Sequence, residues 1–143
     1  MINIKNTKRL SALIGVLLSV VAIVLEASPS VTLFFPDGAE VFEKNYSYFS
    51  VIPFGYGVFG PLPIAVGTCL LAAVEILAII QAENRALSIA CCFLSDVVAI
   101  FSLYSVVFLW QNVSFVGLAV FLLLLGSFAA FFVHTGPPRP ARR

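Results

Sequence analysis

Seven carboxylates, three cysteines and one histidine are the chain's stock of side chains for acid–base or metal chemistry. Asp96 is the sharpest of them. It lies about ten residues into an apolar run that starts at Ala86, which at helical rise is about 15 Å of depth, near the centre of a bilayer. A charge there costs about 2.5–3.5 kcal/mol on insertion scales. Asp96 is therefore expected to face other helices, to pair with a donor, or to carry a proton. Ser88, Cys92 and Ala99 fall on its helical face and Ser95 lies nearby, a polar, small-residue stripe expected to meet another helix.

Glu75 is the second case. It precedes Gln81 by about a turn and a half and is expected near an interface or a hydrated crevice, with Arg85 as a partner across a tight turn. Direct pairing with Asp96 would need an offset or a bridging water. Asp96, Glu75, Ser88, Cys92 and Ser95 together make the candidate intramembrane polar site. In one reading they serve assembly, bonding to hydroxyls or to a cationic residue of another subunit. In the other, a midplane carboxylate alternates between occupied and empty states in a proton- or cation-coupled transporter. The bland alternative is a protonated Asp96 making one hydrogen bond.

The remaining groups point to less. Glu26 ends the first apolar run, where a solvated interfacial carboxylate is expected. His134 precedes Thr135-Gly136-Pro137-Pro138, where it favours a helix C-terminus and Gly then Pro stops the helix. Cys69, Cys91 and Cys92 sit inside apolar runs without CxxC spacing and read as small packing residues. There is no phosphate loop, HExxH, dinucleotide fingerprint or histidine cluster. No catalytic residue, cofactor or metal is expected, and the chain is not expected to be an enzyme.

The elements that carry these residues follow from composition. Of 143 residues, 61% are hydrophobic and 10% charged, against about 25% charged in soluble domains. The charges fall almost wholly outside four long apolar runs, which excludes a nucleic-acid binder working through a basic face. A membrane helix needs about 20 apolar residues, and continuous runs do not alternate as barrel strands must. The expected fold is all-α: a polytopic membrane protein, one integral membrane domain over 1–143. It is a four-transmembrane-helix antiparallel bundle with a partly ordered outer loop. The spans are expected at about 9–28, 61–81, 86–110 and 113–134, with an outer segment over 29–60. Glu83 and its neighbours separate spans two and three, and Gln111–Asn112 separate three and four. Such short connections force antiparallel neighbours.

Four spans place both ends on one side. Lys5, Lys8, Arg9, Arg85, Arg139, Arg142 and Arg143 then share a side, and only Lys44 lies on the other. By the positive-inside rule both termini are expected in the cytoplasm, and the cell membrane is the expected location. The first run also resembles a signal peptide, but Glu26-Ala27-Ser28 fits a cleavage site poorly.

The outer segment carries nine aromatics between Phe34 and Phe59, suited to the headgroup boundary. Pro36-Asp37-Gly38 between two apolar stretches signals a turn. A short hairpin and an irregular loop are equally open there, and Pro53, Gly55 and Gly57 keep the later part irregular. Asn45-Tyr-Ser47 and Asn112-Val-Ser114 match the glycosylation pattern.

Ser11, Gly15 and Ser19 recur every fourth residue on span one, and Gly126 and Ala130 on span four. Small residues at that spacing let helices approach closely. The expected partners are the lipid bilayer and other membrane helices, in a homo-oligomer or with a partner subunit, and not nucleic acid. An accessory or assembly subunit is the expected role, with the transporter as the alternative.

Overall fold

A computed structural model describes residues 4–37, 40–51, 60–81, 84–108 and 110–135. Among them lie four helices long and apolar enough to cross a membrane: α1 (Ile4–Ala27), α2 (Pro61–Ile80), α3 (Arg85–Phe108) and α4 (Trp110–Thr135). Between α1 and α2 a two-stranded antiparallel sheet forms from β1 (Val31–Asp37) and β2 (Glu40–Tyr46). The expected turn residue Gly38, the irregular stretch 52–59, Glu83, the stop signal Gly136-Pro137-Pro138 and the C-terminal arginines lie outside the described residues.

Each helix boundary has a local cause. The chain leaves α1 two residues before Pro29, which cannot continue a helix without losing a backbone bond. Pro61 opens α2, where its missing N–H costs nothing. At the far end the Gln81 N–H bonds the Leu77 carbonyl at 2.9 Å. The start of α4 differs from expectation. The helix begins at Trp110 and takes in Gln111 and Asn112, which the sequence had set apart as a connection. The first turn of a helix has N–H groups without internal partners, so a polar pair is accommodated there as readily as in a loop.

The register of β1 and β2 runs from Val31↔Tyr46 to Asp37↔Glu40, so the open question between hairpin and loop resolves to a hairpin. Period two places Val31 and Leu33 inside, against the helices, and leaves Phe34 outside. Thr32 Oγ1 bonds Asn45 Oδ1 across the strands at 2.9 Å. Lys44 Nζ lies 5.4 Å from the centre of the Tyr46 ring, within cation–π range. Asn45 is exposed.

The helices pack in the order α1–α2–α3–α4 and back to α1. Ala12, Gly15, Ser19, Ala22 and Glu26 are the buried positions of α1, and Gly117, Val120, Leu124, Ser127 and Phe131 those of α4. Alternating steps of three and four keep one seam facing a neighbour. The strict four-residue ridges expected from sequence drift off that seam. Ser11 is half-buried, its hydroxyl bonding the Lys8 carbonyl at 2.9 Å, and Gly126 and Ala130 are also half-buried. The closest approach is between Gly15 and the Phe131 ring. A β-carbon on Gly15 would stand 2.7 Å from Phe131 Cε2. One on Gly126 would stand 3.0 Å from Leu18 Cδ1.

Side-chain polarity is inverted relative to a water-soluble bundle. Leu17, Phe93, Phe115 and Phe132 are 61%, 71%, 77% and 64% exposed. Ser19, Glu26, Thr68, Glu75, Ser95 and Ser127 are wholly buried. Water drives large apolar groups inward. Lipid does not, because its tails are as apolar as leucine, and helices there associate through small and polar residues. The pattern is that of a multi-pass membrane protein.

Candidate functional site: buried carboxylates on the α1–α2 seam

Ser19 and Glu26 are seven residues apart on α1, and Thr68 and Glu75 are seven apart on α2. Seven residues are two turns, about 10 Å. The two helices run in opposite directions, so the pairs meet reciprocally. A carboxylate from α1 faces a hydroxyl from α2 at one level, and the order reverses at the other.

At the hairpin end, Thr68 Oγ1 lies 2.8 Å from Glu26 Oε1 and 2.9 Å from the carbonyl oxygen of Ile64. The chain emerging from the hairpin covers this level. The Tyr48 N–H bonds the Glu26 carbonyl oxygen at 2.9 Å, and the Tyr48 side chain is wholly buried. Among the described residues neither Tyr48 Oη nor Glu26 Oε2 has a hydrogen-bond partner. Burial pushes the Tyr48 phenol well above its ordinary range, and the negative charge of Glu26 adds to the effect. The phenol is therefore a neutral hydroxyl throughout the physiological range.

At the second level, Ser127 of α4 donates its hydroxyl to Glu75 Oε1. The Ser19 hydroxyl donates to Ser127 Oγ at 3.4 Å. This is a consistent donor chain from Ser19 through Ser127 to Glu75. Among the described residues Glu75 Oε2 has no partner. Cys91 of α3 is also wholly buried.

Two expectations need correction. Glu26 is not a solvated interfacial group but fully buried, because the returning chain at Tyr48 covers the end of α1. Asp96 does not face the bundle but is exposed on α3. Ser88, Ser95 and Ala99 of its expected stripe are buried and Cys92 is half-buried. The seam of α3 runs through Ser88, Cys91, Ser95, Val98, Ser102 and Ser105. Asp96 is one residue, about 100° of helical rotation, past Ser95 on that seam, in line with exposed Phe93, Ile100 and Leu103. Glu75 accordingly meets neither Asp96 nor Arg85, which is exposed at the start of α3.

Sequence reasoning also missed Tyr48, Thr68 as a partner of Glu26, and Ser127. The heptad steps from Ala12 to Glu26 were a usable signal for Glu26. Nothing local marks Tyr48. His134 Nδ1 lies 2.9 Å from the Lys8 carbonyl oxygen, fastening the end of α4 to the start of α1. The cysteines are free, with Cys69 exposed on the apolar surface and Cys91 buried. Among the described residues no group of three or more His, Cys, Asp or Glu side chains gathers.

Compared with known proteins, the chain matches no family model, no curated protein and no solved structure. The site's chemistry alone carries the functional argument.

Proposed function

We propose that this chain is a small accessory or assembly subunit of the cell membrane, which pairs through the outer face of α3 with a transmembrane helix of another protein. One observation carries this reading: Asp96 is an exposed carboxylate halfway along α3 on a face of Phe93, Ile100 and Leu103. Lipid cannot solvate that group, and leaving it there costs about 2.5–3.5 kcal/mol or more. A partner helix with a basic or strongly donating side chain at the same depth removes the cost. A second copy of this chain fits less well. Among the described residues its helices carry Lys5, Lys8, Arg9 and Arg85 only at their ends, so it offers no Lys or Arg at mid-height.

The chain crosses four times with its termini in the cytoplasm, by the positive-inside rule. Lys8, Arg9, Arg85 and His134 stand at helix ends remote from the hairpin, and Lys44 stands on the hairpin. No reaction is assigned to it.

The test is purification in mild detergent with mass measurement of the intact complex, for the wild type and for Asp96→Asn and Asp96→Leu. Wild type is expected to retain a second polypeptide. Asp96→Leu is expected to yield the folded chain alone, because an exposed substitution changes the monomer's own stability by no more than about 0.5 kcal/mol. A partner retained equally by all three forms, or a wild type that purifies as a lone monomer, overturns the reading.

The second reading is a proton- or cation-coupled transporter. It is favoured by a different observation, the two buried carboxylates of the α1–α2 seam, each with an oxygen that no described residue satisfies. Polar groups buried only for packing are almost always fully paired. Under this reading Glu75→Gln abolishes ion-driven flux in reconstituted vesicles while the intact complex survives. Under the assembly reading it leaves the complex unchanged and there is no flux to lose.

A further inference from the structure

The side of the hairpin that packs on the bundle continues past the bundle. Residues opposite each other in an antiparallel ladder share a face, and the register pairs Val31 with Tyr46, Leu33 with Lys44 and Phe35 with Phe42. On β1 that side is covered, because Val31 and Leu33 are buried and β1 packs on α4. β2 lies about 4.8 Å further out, and there the same side opens. Tyr46 is half-buried, Lys44 is exposed and Phe42 is 53% exposed. Phe34 and Glu43 form a ladder pair on the opposite side, as do Thr32 and Asn45. Depth follows from the chain. The Ser30 N–H bonds the Tyr46 carbonyl oxygen at 2.9 Å, just past Ala27, where α1 ends. Lys44 is two strand residues from Tyr46, at most about 7 Å. The headgroup region extends about 5–7 Å beyond the hydrocarbon on each side, so Lys44 stands at headgroup depth.

We propose that the open side of β2 lies on the phospholipid headgroup layer, with the Phe42 and Tyr46 rings at the headgroup–acyl boundary and the Lys44 ammonium on lipid phosphate. Where that side runs past α4, the lipid that surrounds the helices is what it meets. Charge complementarity selects the phosphate. Lys44 is the one basic residue between Arg9 and Arg85, and it falls on the bundle side, with Glu43 on the other. Its Nζ lies 5.4 Å from the centre of the Tyr46 ring. A tyrosine ring settles at the membrane–water interface and here also holds the ammonium at that level. The Asp37↔Glu40 pair is four residues further along, about 14 Å from Lys44. That exceeds the Debye length of about 8 Å in physiological salt, so it does not cancel the Lys44 charge. The hairpin is thereby a foot on the outer leaflet that fixes how far the end of α1 rises from it. The contact requires lipid around the helices and is independent of the Asp96 face.

Tryptophan quenching of the full chain in vesicles tests the contact. Trp110, the one tryptophan, is replaced by phenylalanine, and Phe42→Trp or Phe34→Trp supplies the signal. Both sites are exposed, so neither substitution disturbs the core. The vesicles are phosphatidylcholine brominated at the headgroup end of the acyl chains, and acrylamide is added to the water. Position 42 is expected to be quenched several-fold more by bromine than position 34, and position 34 several-fold more by acrylamide than position 42. Adding Lys44→Glu is expected to lower bromine quenching at position 42 and raise acrylamide quenching there. Equal bromine quenching at the two positions overturns the proposal. So does a position 42 shielded from both quenchers, which means that a second copy covers the strand. A position 42 that behaves alike with and without Lys44→Glu overturns the phosphate contact.

Discussion

Valine in place of Gly15 is expected to break the α1–α4 contact and give the largest loss of stability of any single substitution on that seam. The β-carbon alone would stand 2.7 and 2.8 Å from Cε2 and Cδ2 of Phe131, with Ser127 Oγ at 3.5 Å. The obstruction is a wholly buried ring, which cannot swing aside as a lysine tip would. Overpacking of this kind costs about 1–3 kcal/mol, and valine's two methyl groups add to the clash that alanine would already make. Phe131 also stacks edge-on with His134, their centroids 6.0 Å apart, and His134 holds the Lys8 carbonyl. Moving the ring therefore loosens the fastening between the two ends. Thermal unfolding in detergent measures the loss. The double variant Gly15→Val with Phe131→Ala should recover part of it. A Gly15→Val midpoint equal to wild type would show that the helices are not this close.

Ser127→Ala is the second large effect, and its sign relative to Glu75→Leu is diagnostic. Ser127 is the donor to Glu75 Oε1, and Oε2 already lacks one. Removing the hydroxyl leaves a wholly buried carboxyl with only Ser19 beside it. That costs about 1–3 kcal/mol. Glu75→Leu removes the polar group and keeps a side chain of similar length. Replacing buried ionic groups by apolar ones is often neutral or stabilising by about 1–4 kcal/mol. Glu75→Leu is therefore expected to be at least as stable as Ser127→Ala, and Ser127→Ala is expected to cost little once Glu75 is leucine. Residues in direct contact show such non-additivity, and separate ones do not. Additive losses in the double variant would mean that Ser127 and Glu75 do not interact.

The four helices were legible because span length and the exclusion of charge are properties of composition. What lies inside was less legible, because it depends on rotation about each helix axis. Asp96 and Ser95 are adjacent in sequence, yet one is exposed and the other buried. A sequence fixes the spacing of residues on a helix, but only its neighbours fix which face points inward. Ser88 and Ala99 lie only about 60–80° round the helix from Asp96, but the seam is centred near Ser95, about 100° away. The same limit applied to the ridge at Ser11, Gly15 and Ser19. Equal steps of four drift by about 40° each, whereas the structure uses steps of three and four through Ala12 and Ala22. Glu26 was misjudged for another reason. Its distance from the helix end was right, but its burial depends on a chain segment that leaves, makes fourteen strand residues and returns at Tyr48. That contact has no local sequence signature. The reciprocal seven-residue spacing of Ser19–Glu26 and Thr68–Glu75 was present in the sequence, but only knowledge of the antiparallel register gives it meaning.

Everything functional here rests on lipid surrounding the apolar exterior, with the hairpin on one side and the first turn of α1 on the other. Cysteines placed singly at exposed Asn45 and exposed Thr7, in a chain whose own three cysteines are replaced by alanine, test this directly with a membrane-impermeant thiol reagent on intact cells. The account predicts that position 45 is labelled at once and position 7 only after the membrane is opened. Labelling of both positions in intact cells, or of position 7 alone, would contradict it.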